Sequence, residues 1–242
     1  MHVAFAISFF LYVALSETLR HGVFGLSASE TTGILTGLLF GCALLFLRSD
    51  VVFLLREPKD DLYGVGAANW SWKRTFFGLF LAPLLLVGPL IYGISMIQIN
   101  FRTLDWGFFA QATALQALFV AIAHELFFRE TVIKAFQGRV APIALASSLA
   151  YFTFWMPMGA PMALIAAGTG LFFLSLRLIG VNILAVAVVH AAHALFWSHV
   201  VSLGATAAPD LVYATYFLTS AAVIAGVIHY LFAEPEREFI HA

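Results

Sequence analysis

Residues 107–130 read GFFAQATALQALFVAIAHELFFRE, an apolar run that closes on His124, Glu125, Arg129 and Glu130. A helix needs about 20 residues to cross a hydrocarbon core, and this run supplies them. An ionised side chain at mid-membrane costs about 2.5–3.5 kcal/mol on insertion scales, so four such groups together need partners inside the protein. On a helix, Glu125 and Arg129 stand one turn apart on a shared face and can neutralise each other. That pairing alone would be a packing device. His124 points about 100° away and gains nothing from it, so it must face a polar interior or a partner of its own. His190 and His193 form a second polar pair, one turn apart in another apolar run. The expectation is that the two clusters meet in one site within the membrane.

Composition sets the class. Of 242 residues, 62% are hydrophobic and 10% charged, and 25 are phenylalanine. That balance fits a polytopic membrane protein, an all-α bundle of transmembrane helices. The net charge of −1 leaves no footprint for nucleic acid. A single cysteine, Cys42, excludes an internal disulfide framework and any multi-cysteine metal site; within a helix it reads as a small packing residue. The first apolar stretch lacks a basic leader and a small-residue cleavage site, so it reads as a membrane segment and not as a signal peptide.

Eight stretches are long enough to span, near 3–19, 32–55, 75–97, 107–128, 140–155, 162–178, 181–197 and 211–232. With the N-terminus cytoplasmic, ten of the twelve basic residues fall on the inner side, Arg129, Lys134 and Arg177 among them. Arg20 and Arg102 fall outside. This bias supports eight spans with both termini inside, in a bacterial inner membrane. Three regions follow: 1–70, two helices and a cytoplasmic connector; 71–232, the membrane core; and 233–242, a solvated tail. Trp70 and Trp72 suit the headgroup zone. Pro83 and Pro89 are expected to kink the third span, while Pro142 sits near a helix start, where it costs little. Gly33, Gly37 and Gly41 make a smooth stripe, expected to pack against another helix of the fold. His199 and His229 read as interfacial.

The string Ala123-His124-Glu125-Leu126-Phe127-Phe128-Arg129 resembles the first motif, Glu-Glu-x-x-x-Arg, of the CPBP superfamily, the CAAX prenyl endopeptidase and bacteriocin-processing (Abi) intramembrane proteases. Residues 147–155, SSLAYFTFW, are similar to the second motif, an aromatic followed four residues later by His, with Tyr151 at the aromatic position. His190-Ala191-Ala192-His193-Ala194 occupies the place of the third, His-x-x-x-Asn. The match covers roughly residues 70–200. Glu125, Arg129 and His190 carry over position by position. His124 stands where the family has its water-activating Glu, Trp155 where it has a water-holding His, and Ala194 where it has the Asn of the oxyanion pair.

The resemblance implies a metal-free, glutamic-type intramembrane endopeptidase acting on a membrane-anchored or C-terminally tagged protein or peptide, reached through the lipid bilayer. Candidate catalytic residues are His124, Glu125, Arg129, His190 and His193. Water activation is expected from His124, with or without Glu125, and oxyanion donors from His190 and His193. No other cofactor is implied. Two alternatives stand beside this: a scaffold or regulator that has kept the fold and lost the chemistry, and a zinc peptidase ligated by His124, Glu125, His190 and His193. The zinc signal is weak because position 128 is Phe, not the second His of His-Glu-x-x-His. Ser147 and Ser148 lack a nucleophile turn and read as packing hydroxyls, and Gly168-Thr169-Gly170 reads as a close-packing spot.

Overall fold

In a computed structural model, the described residues are 2–21, 25–48, 70–92, 99–101, 114–136, 140–197, 201–203 and 210–232. Most of the connector, Arg102, Arg139, His199 and the tail from 233 lie outside them. The helices are α1 (His2–Arg20), α2 (Ala28–Leu47), α3 (Trp72–Leu81), α4 (Leu84–Tyr92) and α5 (Ala114–Glu125). A π-helical turn, Leu126–Thr131, leads into α6 (Val132–Ala135). Then come α7 (Val140–Trp155), α8 (Ala160–Leu178), α9 (Ile183–Leu195) and α10 (Leu211–Phe232). The expected helical bundle is present, with one addition: β1 (Ile99–Phe101) pairs antiparallel with β2 (Val201–Leu203) in a short ribbon, Ile99 opposite Leu203.

Among the described residues, five helical stretches are long and apolar enough to cross a membrane: His2–Leu19, Glu30–Leu47, Val140–Met158, Ala160–Leu178 and Leu211–Phe232. Their outward residues are apolar too, with Phe10, Leu45, Leu145, Val223 and Tyr230 all exposed. Water would penalise that surface, whereas lipid does not. Helix α8 is the centre: 72% of it is buried, against about a third of the other four. It packs against α7 and α10, while α5 packs against α9 and α2.

Local chemistry explains where the elements begin and end. Ser27 and Glu30 close a capping box on α2, with Ser27 N–H donating to Glu30 Oε2 at 2.8 Å. The side chains of Ser71, Asn182 and Asp210 cap α3, α9 and α10 by accepting from the amides of Arg74, Leu184 and Tyr213. Pro83 divides the third apolar run into α3 and α4, as expected. Gly180, at φ +89°, turns the chain from α8 into α9. There Asn182 N–H also donates to Thr75 Oγ1 at 3.0 Å, tying the turn to α3. At Gly78 a Cβ would collide with the Val181 side chain, so α3 depends on a glycine to reach this corner.

The glycine stripe of α2 does not do what was expected. No described atom lies within 4 Å of where a Cβ would stand at Gly33, Gly37 or Gly41. Leu35, Leu39, Ala43 and Leu47, on another face at the same four-residue spacing, are buried and make the packing contacts of α2. Two basic residues also change place. Arg129 and Arg177 are buried inside the protein and so are not inner-loop charges.

Candidate functional site

Every residue from Ala123 to Ile133 is buried, so the end of α5 and the π turn are enclosed on all sides. A π turn widens the helix and loosens its carbonyls. Here two hydroxyls answer them: Thr131 Oγ1 donates to Leu126 O at 3.0 Å, and Ser147 Oγ donates to Phe128 O at 2.7 Å. Ser148 Oγ donates to Ala167 O, so both serines serve helix packing.

The clusters expected to meet do meet. Glu125 Oε1 lies 2.7 Å from His190 Nδ1, and Glu125 Oε2 lies 3.3 Å from Arg129 Nε. With Glu125 as a carboxylate, which only accepts, a neutral His190 would donate from Nδ1 and carry its lone pair on Nε2. That nitrogen is 3.2 Å from the Tyr151 hydroxyl, which donates to it. The same oxygen is 3.2 Å from His124 Nδ1. The Arg129 guanidinium stands over the Tyr151 ring, 4.5 Å from its centroid. His124, Tyr151, His190, Glu125 and Arg129 thus form a chain that folds back on Tyr151.

Four of those five were sequence candidates. Tyr151 was not, although it joins the two histidines; its place at the aromatic position of the second motif was the signal that could have found it. His193 stands apart from Glu125 and His124, and its Nε2 accepts from Trp197 Nε1 at 3.0 Å. A second buried ion pair was also missed: Arg177 Nε donates to Glu130 Oε1, with Arg177 Nη1 3.4 Å from Val181 O. It ties the π turn to the end of α8.

A cavity of about 480 Å³ opens between α7, α8, α9 and α10. Its wall is mainly apolar, from Met162, Ile165 and Phe217, with polar atoms from Tyr151, His190 and His193. Glu125 does not line it and its side chain is 0% exposed, whereas that of His190 is 11% exposed. Of the sequence candidates, His190 and His193 line the cavity, and His124, Glu125 and Arg129 do not. Glu125 Oε1 is bonded to His190 and Oε2 faces the Arg129 guanidinium, so Glu125 can orient and polarise that imidazole but does not face the cavity. His124 likewise does not line the cavity, and it reaches two lining residues, by the hydrogen bond to Tyr151 and by ring contact with His190.

The zinc alternative does not fit this geometry. Both His190 nitrogens and the His193 Nε2 already have partners. Among the described residues, no three His, Cys, Asp or Glu side chains converge as a metal site.

Gly170 of α8 makes room for the network. A Cβ there would stand 3.2 Å from both Arg129 Nη2 and Tyr151 Cδ1, and at Gly168 one would stand 3.0 Å from the Leu218 Cα of α10. Gly170→Val should therefore destabilise the protein by about 1–3 kcal/mol, the usual cost of overpacking. Thermal unfolding in detergent would show it as a lowered Tm, and an unchanged Tm would mean the contact is slack.

No family model, curated protein or solved structure matches the chain.

Proposed function

We propose that the chain is an intramembrane endopeptidase of the CPBP type, cutting a membrane-anchored or C-terminally tagged protein within the bilayer. The observation that carries this reading is the Glu125–His190 pair placed beside Tyr151 on the wall of an apolar cavity. A carboxylate that fixes an imidazole through Nδ1 leaves Nε2 as a general base, the logic of the hydrolytic triads. Water entering the cavity displaces the Tyr151 hydroxyl from Nε2 and attacks the scissile carbonyl carbon. Its proton passes to His190, and the freed Tyr151 O–H donates to the oxyanion. His193 accepts at Nε2 from Trp197, so its own proton is on Nδ1, where it offers a second donor. The imidazolium of His190 then protonates the amide nitrogen as the C–N bond breaks. The apolar wall suits a helix or lipidated tail arriving sideways through the bilayer.

The topology that accompanies this reading is eight spans, both ends cytoplasmic, in a bacterial inner membrane. Eight loop cations then lie inside against two outside, after Arg129 and Arg177 are removed from the inner total.

The scaffold reading has one observation in its favour: the chain from His124 to Arg129 closes on itself, as a purely structural latch would. Comparing membrane proteomes of wild type, a deletion strain and His190→Ala separates the two. An enzyme leaves the same unprocessed precursor in the deletion and in His190→Ala. His124→Ala, which removes the 3.2 Å hydrogen bond to Tyr151, should slow processing by about three- to tenfold. Normal processing in His190→Ala would overturn the peptidase reading.

A further inference from the structure

A second cavity, about 440 Å³, lies between α1, α2 and α6, and none of its lining residues belongs to the proposed chemistry. Ala4, Cys42, Leu45 and Phe46 give it an apolar wall. Its polar groups are Ser8 and two cations, Arg48 and Lys134; none of the described lining residues is acidic. Both cations stand at the end of α2. Arg48 is its C-cap, with φ at +50°, the single non-glycine residue with positive φ among those described. Lys134 Nζ donates to Leu47 O, the last carbonyl of α2, at 3.1 Å. The groove therefore has two positive groups at the helix end and hydrocarbon along the helix flank. A membrane phospholipid with an anionic headgroup has the matching order of charge and chain.

We propose that this groove binds an anionic phospholipid, with its phosphate between Arg48 and Lys134 and an acyl chain along Cys42, Leu45 and Phe46. Basic pockets between membrane helices recognise such headgroups through the same charge complementarity. Cys42 then has a function beyond filling space: a small residue there leaves the acyl chain its channel. The site is built from α1, the end of α2 and Lys134 of α6, and is independent of any peptidase activity.

The test is native mass spectrometry of the full chain in micelles titrated with phosphatidylglycerol, phosphatidylcholine or inorganic phosphate. Wild type should retain phosphatidylglycerol in preference to phosphatidylcholine and should not retain inorganic phosphate. At about 1 kcal/mol for each basic residue near an anionic surface, Arg48→Gln should weaken phosphatidylglycerol about fivefold, and Arg48→Gln with Lys134→Met about 25-fold. Lys134→Met also frees the Leu47 carbonyl, so Arg48→Gln is the variant that avoids a folding defect. Cys42→Phe, which fills the channel and keeps both cations, should lose the lipid as well. Equal retention of the two lipids by wild type would overturn the proposal. So would undiminished phosphatidylglycerol in Arg48→Gln, or binding of inorganic phosphate alone.

Discussion

Glu125→Gln is expected to abolish processing while the protein still accumulates in the membrane. The amide has nearly the shape of the carboxylate, and its oxygen can still accept from His190 Nδ1. It can also present its NH₂ group and hold the imidazole in the wrong tautomer, with the lone pair on Nδ1. In the serine hydrolase triads the corresponding acid-to-amide change costs about 10⁴ in rate, and a loss of that order is expected here. The change also leaves Arg129 without its counter-ion, 3.3 Å away in the wild type, so a lower Tm will accompany it. Fluorescence-detected size-exclusion chromatography of the variant separates the two effects. A monodisperse peak with precursor uncut supports an orienting role for Glu125. A monodisperse variant that processes at the wild-type rate would remove Glu125 from the mechanism.

The largest effect on stability should come from Glu130→Leu. Its partner Arg177 has a 2% exposed side chain and Glu130 a fully buried one, so the substitution strands a cation inside the protein. Removing one member of a buried ion pair typically costs about 3–5 kcal/mol, whereas replacing both with apolar groups of similar volume is often neutral or better. Glu130→Leu should therefore fail to accumulate or unfold far below wild type. Glu130→Leu with Arg177→Met should recover most of the loss. If the double variant is as unstable as the single one, the pair is doing something other than neutralising charge, and the π turn would be the place to look.

The helices and the meeting of the two polar clusters were legible because a membrane makes charge scarce. With 25 charged side chains in 242 residues, each buried one must find a partner, and Glu125 had few to choose from. Pro83 announced its break because a missing N–H is a local fact. The rest depended on tertiary contact. Tyr151 joins His124 to His190 across three helices, and nothing in the spacing of residues 147–155 ties them to residue 190. Arg177 looked like an inner-loop cation because hydropathy cannot tell a helix end in the headgroups from one inside the protein. The glycine stripe of α2 misled for a related reason. Small residues permit close approach, but Leu35, Leu39, Ala43 and Leu47 were the face that found neighbours.

The six residues of the π turn carry a geometric consequence of their own. On a uniform α-helix, positions five apart differ in azimuth by about 140°, given 3.6 residues per turn. Across a turn bonded i to i+5 that difference shrinks. Glu125 and Glu130 are five apart, one at the mouth of that turn and one within it. They reach His190 on α9 and Arg177 on α8, two helices joined by the tight corner at Gly180. The extra residue works as a vernier, bringing two carboxylates of one rod to adjacent rods side by side. An alignment that treats this stretch as unbroken helix will set one of the two acids out of phase.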